Sequence, residues 1–289
     1  MTDGKTSLEL YHAVESICSE RVRMTLYEKN ILDWVDHPML LFKDEQFDPR
    51  YLKLNPKAQV PTLVHDGHVV RESSIICNYL DDVFPQNRLK PSSPQGRTYM
   101  QEWIKGSDEE LYQSVSSLSF SMVFRDRLNG MEEESREAHF KKQTDIDRTH
   151  RQRSCVADGI HSPYVLRAVA AWENLLHKLE ATLEKGGPWI LGNQYSLVEI
   201  ALGPFLTRIQ DLQILQIWME NRPLSVQWWN KVQQRPNFMM AEVSIGSDKI
   251  NEYQMAGAKY GPRIKELRDW YVRDPVDCGR VFQANKAEL

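Results

Sequence analysis

No run in this 289-residue chain approaches the ~18 uncharged apolar residues that a membrane-spanning helix requires. The opening residues, MTDGKTSLEL, lack the apolar centre of a secretory signal. Cysteine is sparse: Cys18, Cys77, Cys155 and Cys278 lie far apart, which excludes a disulfide scaffold and fits a reducing, cytoplasmic setting. Net charge is also small, −4 from 36 basic and 40 acidic side chains, which argues against a dedicated nucleic-acid binder. Neither a repeat nor a low-complexity tract is present. What remains is an ordinary globular composition, 41% apolar and 26% charged, which excludes collagen-like and disordered chains. The length suggests two domains, each large enough to bury a core. Composition carries nothing more about function.

The chain reads as two unlike parts. Residues 7 to 85 alternate strand and helix signals. Leu8 and Leu10 alternate with Glu9 and Tyr11, the period of a half-buried strand. SICSERVRMTLYEKN, residues 16 to 30, follows as a helix with Asn30 as its stop. An apolar run near Trp34 and Val35 and a short helix from Pro49 to Leu54 come next. VPTLVHDGHVV is a hairpin turning at Asp66-Gly67. ESSIICNYLDDVF then forms a helix that stops before Pro85.

PQNRLKPSSP, with three prolines and two serines, reads as a linker. Beyond it the strand signal disappears. Leu111, Val115, Leu118 and Met122 mark one helical face. Residues 126 to 162 are charged and read as an irregular excursion with one short helix near 133 to 142. A long helix spans 164 to 185. Ser196-Leu-Val-Glu199 is a capping box opening a buried helix to about Leu212, with Tyr195 and Ile200 as its staple. A shorter helix covers 225 to 234, and the tail beyond about 245 is charged. The expected division is 1–84 as an α/β domain, 85–94 as linker, 95–245 as an all-helical domain, and 246–289 as an extension.

Three short segments carry chemistry. In Ser16-Ile17-Cys18-Ser19-Glu20-Arg21, a strand ends and a helix begins. A helix N-terminus favours an anion, and a serine hydroxyl there can donate to a bound sulfur and lower its pKa. A free thiol near ~8.5 needs only a shift of about two units to be mostly thiolate at neutral pH. The plainer reading is an N-cap serine and a packed Cys18. In Gln59-Val60-Pro61, a cis proline would turn the Val60 backbone outward to pair with an extended peptide; a trans proline opening an edge strand is the plainer reading. Glu72-Ser73, at a helix start, could hold an ammonium and a carboxylate, or be a capping serine with an acidic first turn.

Taken in order, a thiol stabiliser, a peptide-pairing backbone and an amino-acid clamp are what a γ-glutamyl-cysteinyl peptide requires. SICSERVR, NPKAQVPTL, RESSIICNYLDDVFP and YSLVEI resemble the glutathione transferase superfamily over about residues 7 to 240. That resemblance implies an α/β thioredoxin-like N-terminal domain with a cis Pro61, then an all-α C-terminal domain. It implies glutathione as cofactor, bound through Gln46, Gln59, Val60, Pro61, Glu72 and Ser73, and a homodimer. SICSERVR is similar to the serine motif of the zeta, theta and tau classes, with Ile17 departing from zeta. It also looks like the reductive dehalogenases, whose nucleophilic cysteine matches Cys18. TLYEKN, QVPTLVHDGHVVRESSIICNYLDDVFP and HRQRSCVADGIHSPYVLRAVAAWENLLHKLEATL resemble the bacterial lignin β-etherases of the fungal-related type. One alignment sets Ser16 against the sulfur and the other Ser19; Ser16 is favoured as nearer the strand end.

The implied reaction is thiolate attack on the carbon bearing a β-aryl ether, with release of a phenol. Tyr112, Val115, Ser119 and Met122 are the candidate contacts for a small aromatic substrate, although Val115 and Met122 suit helix packing equally well. Two other readings stand beside it: a transferase or dehalogenase working through Cys18, and a non-catalytic binding module. No metal ligand set is expected. His65 and His68 read as a solvated turn, the run Arg148, His150, Arg151, Arg153 as a solvated face, and Cys77 as an inert core thiol.

Overall fold

The computed structural model describes residues 7–241 and 247–275. Its contacts divide into two compact units that interleave along the chain. The first holds Met1–Ile104, Gln194–Pro204 and Asn230–Ile245; the second holds Lys105–Asn193, Phe205–Trp229 and Gly246–Leu289. Residues 85–104 thus cluster with the first unit, not with the helices that follow.

The first unit is built on a four-stranded sheet ordered β2-β1-β3-β4. β1 (Leu8–His12) runs parallel to β2 (Val35–Pro38) and antiparallel to β3 (Thr62–His65), which pairs with β4 (His68–Arg71). Alternation in β1 buries Leu8, Leu10 and His12 on one face. The β3–β4 turn takes positive φ at Asp66 (49°) and Gly67 (81°), the geometry that an Asp-Gly pair tolerates in a two-residue hairpin. α1 (Ile17–Glu28) packs against α3 (Ser73–Val83), and α2 (Pro49–Leu54) matches the sequence expectation to the residue. Leu10, Val22, Leu26, Leu63, Ile76 and Leu80 are all fully buried. This is the thioredoxin-like arrangement expected from the sequence.

α1 has little amphipathic contrast because it buries charge as well as hydrocarbon. Each buried cation on it finds an acceptor. Lys29 donates to Asp81 at 2.7 Å, with both side chains wholly buried. Asp81 also accepts the Leu89 and Lys90 backbone N–H groups, which fastens the proline-rich linker. Glu28 takes a two-pronged bond from Arg235, 2.7 Å on each prong, and Arg23 donates to Ala241 O on α13 (Pro236–Ala241) at 3.1 Å.

The remaining elements are helical and are shared between the two units. α4 (Pro94–Gly106), almost wholly in the first unit, and α5 (Tyr112–Ser119) and α6 (Arg125–Asn129), in the second, follow one another through π-helical turns at Ser107–Leu111 and Phe120–Phe124. α5 lies against α9 (Pro163–Leu183). The stretch read as irregular holds two helices, the expected one at α7 (Glu133–Lys141) and a second at α8 (Ile146–Asp158). Asp145 caps α8, accepting from Arg148 N at 2.9 Å, but its helical stripe is hidden among polar residues. Ser196 and Glu199 close the capping box of α10 (Leu197–Asp211), Ser196 N donating to Glu199 Oε2 at 2.9 Å. α11 (Gln216–Met219) and α12 (Pro223–Gln233) follow.

The charged tail is not featureless: Ser247–Arg273 forms α14. Tyr253, Ala256, Tyr260, Ile264 and Leu267 are buried, a helical stripe spaced too widely among charges to show as an apolar run. α14 is fastened at both ends. Arg127 pairs with Glu252, and Glu173 on α9 accepts from both Arg222 and Arg268, the latter at 2.9 Å. Cys278 and the end of the extension, residues 276–289, lie outside the described residues. No helix is long and apolar enough to cross a membrane among the described residues.

Candidate active site

β1 ends at His12, and four residues later Ser16 opens α1. Ser16 is the N-cap, with extended φ/ψ of −85° and 115°, and its Oγ accepts from Ser19 N at 3.2 Å. A serine hydroxyl has one proton to give. Because Oγ accepts here, that proton is free to donate elsewhere. Ser16 and Cys18 are both half-buried. Ser19 is fully buried, and its Oγ accepts from Ala13 N at 3.3 Å, which fixes the loop between strand and helix.

His12 supports the same loop and was not singled out from sequence. Its Nδ1 meets Arg23 Nη1 at 3.1 Å. A guanidinium only donates, so Nδ1 must accept, and Nε2 must carry the proton it gives to Asp36. Burial lowers the His12 pKa, the Asp36 hydrogen bond opposes that, and Arg23 adds to it, so the ring is neutral at pH 7. The signal in the sequence was slight: a histidine at the inward position of a strand.

Val60–Pro61 is a cis peptide. Val60 precedes β3 and lies beyond its last pairing with β1, Tyr11 opposite Thr62. The Gln59 carbonyl is held by Tyr51 Oη at 2.5 Å and Asn55 Nδ2 at 2.8 Å. The same two side chains meet Thr62 Oγ1 at 2.9 and 3.1 Å. Burial pushes the Tyr51 phenol up to about 12, so it stays protonated. Neither Tyr51 nor Asn55 was singled out; the Asn-Pro pair in NPKAQVP was the available signal. Gln46, in the short turn Glu45–Phe47, is buried, and its Oε1 has no hydrogen-bond partner among the described residues.

Glu72 precedes α3 at φ 66° and ψ 118°, a conformation that side-chain-bearing residues avoid. Such strain costs ~1–3 kcal/mol and gathers at functional positions. The Glu72 carboxylate pairs with Lys57 Nζ at 2.7 Å, both being exposed. Ser73 is buried, and its Oγ accepts from Arg21 Nη1 at 3.3 Å. Its own proton is therefore free, beside the unpaired N–H groups of the first turn of α3. Arg21 is itself buried and also donates to Ala201 O at 3.0 Å. The first unit thus collects Ser16, Cys18 and Ser19 at the start of one helix and Glu72 and Ser73 at the start of another. Arg21 joins the two.

In the second unit, Tyr112 is half-buried at the head of α5. Val115, Ser119 and Met122 are each only 1% exposed. Ser119 Oγ accepts from Arg208 Nη1 at 3.4 Å. Val115 and Ser119 lie on α5, which packs on α9 and α8, and Met122 lies in the Phe120–Phe124 turn, which packs on α6, α8 and α14; all three keep almost no free surface. The two histidines of the hairpin divide. His68 is exposed as expected, but His65 is buried under Tyr79, whose hydroxyl meets its Nδ1 at 2.7 Å, so the solvated reading fails there. Cys77 is buried, its thiol 3.6 Å from Arg21 O. No group of three or more metal-ligating side chains is present among the described residues.

Residues 15–83 match the sequence model for the N-terminal domain of glutathione S-transferase, and residues 145–232 match that for its C-terminal domain. The chain belongs to the glutathione S-transferase family and is an enzyme that uses glutathione. Among its relatives is the protein LigF of Sphingobium sp. strain SYK-6, 30% identical over 80% of this chain and 91% of LigF. The crystal structure of that β-etherase superposes with a TM-score of 0.72 at 29% identity, covering 81% of this chain and 98% of the other. The tetrachloro-p-hydroquinone reductive dehalogenase of Sphingobium chlorophenolicum is 26% identical over 82% of this chain and 96% of its own.

Proposed function

We propose that this glutathione transferase cleaves β-aryl ethers of lignin-derived aromatics, and that Ser16 is the hydroxyl that meets the glutathione sulfur. The observation that carries the reading is similarity to the β-etherase LigF over 80% of this chain and 91% of LigF. Ser16 is preferred to Ser19 because it is half-exposed with a free proton, whereas Ser19 is buried and holds Ala13 N. Glutathione would lie with its γ-glutamyl carboxylate at Ser73 and its backbone along Val60, with Gln46, Gln59, Pro61 and Glu72 around it.

The reaction then follows from simple chemistry. The thiolate attacks the carbon bearing the aryloxy group, which is activated by the neighbouring carbonyl. A carbon–sulfur bond forms, the carbon–oxygen bond breaks, and a phenolate leaves and takes a proton from water. The protein lowers the thiol pKa and orients the reactants, and needs no covalent nucleophile of its own. Of the four substrate candidates, Tyr112 has free surface and is the one assigned to the aromatic substrate. By the same resemblance the enzyme is a homodimer, which sedimentation velocity tests; its sparse, widely separated cysteines fit a cytoplasmic setting.

The decisive assay is release of a fluorescent phenol from an α-keto β-aryl ether, with and without glutathione. Release that depends on glutathione supports the proposal; none from either enantiomer sinks it. A second reading has one observation behind it, the half-exposed Cys18 on the first turn of α1. In a dehalogenase working through that thiol, Cys18→Ser abolishes turnover. In the etherase it spares it.

A further inference from the structure

The basic run on α8 forms only part of the solvated face that its composition suggests: His150 is exposed and Arg148 and Arg153 are half-buried, but Arg151 is buried. Arg153 leaves it in a two-pronged pair with Glu137, at 2.7 and 2.8 Å. Arg151 turns inward and is only 7% exposed. Its Nε is buried without a hydrogen-bond partner, and its side chain makes no hydrogen bond, ion pair or ring contact among the described residues. Arg148 lies one turn earlier on the same face, and its Nε is buried and unpartnered in the same way.

A guanidinium keeps its charge at any pH a protein meets. Burying one without an anion costs several kcal/mol, so native structures pair such groups. Among the described residues, no carboxylate on α8 or on the elements packed against it bonds either guanidinium. α5 and the Phe120–Phe124 turn contain no acidic residue, and neither does the turn Gly159–His161. Asp126, the acid of α6, is exposed. On α9, Glu173 is taken by Arg222 and Arg268, and Glu180 by the Leu224 and Ser225 N–H groups. On α8 itself, Asp145 caps the helix, Asp147 is exposed, and Asp158 accepts from Ser154. Of the neutral polar side chains on and before α8, Thr149 donates to Gln143, and Gln143 to Gln152.

We propose that Arg148 and Arg151 form a binding site for an organic carboxylate. The planar fork of a guanidinium matches a carboxylate. The same fork also accepts a phosphate, so benzoate and inorganic phosphate are compared side by side. The assignment goes beyond the ether-cleavage reading and stands or falls separately from it.

The test is thermal melting and titration calorimetry of the full chain with benzoate, with its neutral isostere benzamide, and with inorganic phosphate. Benzoate is expected to bind saturably and raise the melting temperature where benzamide does not. Arg151→Met should weaken benzoate binding about tenfold or more, the loss of one charge-assisted hydrogen bond, and Arg148→Gln should weaken it less. Without ligand, Arg151→Met should melt no lower than the parent, because it removes an unpaired buried charge. Arg151→Lys keeps the charge but loses the fork; it should fold even if the Met variant does not, and should bind benzoate more weakly. Equal effects of benzoate and benzamide overturn the proposal, as does phosphate competing as well as benzoate. So do benzoate binding that survives Arg151→Met or is undiminished in Arg151→Lys, and a drop of several degrees in unliganded Arg151→Met, which would reveal a protein partner.

Discussion

Replacing Ser16 with alanine separates its two roles. As N-cap it accepts from Ser19 N at 3.2 Å, and losing a cap costs about 1 kcal/mol. As the proposed donor to the glutathione sulfur it makes a hydrogen bond to a charged group, worth roughly 1.5–3 kcal/mol. Dividing by about 1.36 kcal/mol per pKa unit gives a rise of about one to two units in the thiol pKa of bound glutathione. At neutral pH the bound thiolate then falls about ten- to a hundredfold, and turnover falls with it. Thiolate absorbance titrated against pH in the binary complex reads the shift directly, and binding of glutathione itself should change little. Ser19→Ala is the control. It leaves Ala13 N without its acceptor and costs stability, roughly 1–3 kcal/mol, with a smaller effect on the thiol. An unchanged thiol pKa in Ser16→Ala, or the larger shift in Ser19→Ala, refutes the assignment.

Three further outcomes are expected. Asp81→Ala should destabilise the chain by about 3–5 kcal/mol in denaturant unfolding, because it strands wholly buried Lys29; adding Lys29→Met should recover much of the loss. At Gly257 a side-chain carbon would stand 1.8 Å from Leu212 O, so Gly257→Ala should loosen α14 and speed its hydrogen exchange and proteolysis. His12 has a folded pKa below its ordinary 6.5, so the unfolded chain binds the proton first. Its contribution to stability is present above about pH 6.5 and is lost as pH falls through the lowered folded value. Denaturation followed across that window should show a smaller loss in His12→Gln than in the parent.

The parts of the fold that were legible from sequence rest on local chemistry. The Asp66-Gly67 turn, the Ser196/Glu199 box and the alternation of β1 each state their geometry within a few residues. α8 and α14 were missed because their buried positions are spread among charges, and some of those positions, such as Arg151, are charges themselves. In the candidate site, Ser16, Val60, Pro61 and Ser73 show as motifs. The groups that hold them do not. Arg21, Tyr51, Asn55 and His12 act across gaps of 52, 8, 4 and 24 residues in sequence, to Ser73, Gln59, Gln59 and Asp36. Such partners become visible only when the chain is folded. The same limit explains Val115, Ser119 and Met122, whose helical spacing could not say that neighbouring helices would cover them.

The most direct test of the proposed activity is the mass and stoichiometry of the products from an α-keto β-aryl ether turned over with glutathione. The account predicts one glutathione thioether of the ketone for each phenol released, made by a single enantiomer or by both, and made equally by Cys18→Ser. Phenol accompanied by glutathione disulfide and no thioether, or turnover abolished in Cys18→Ser, would contradict it.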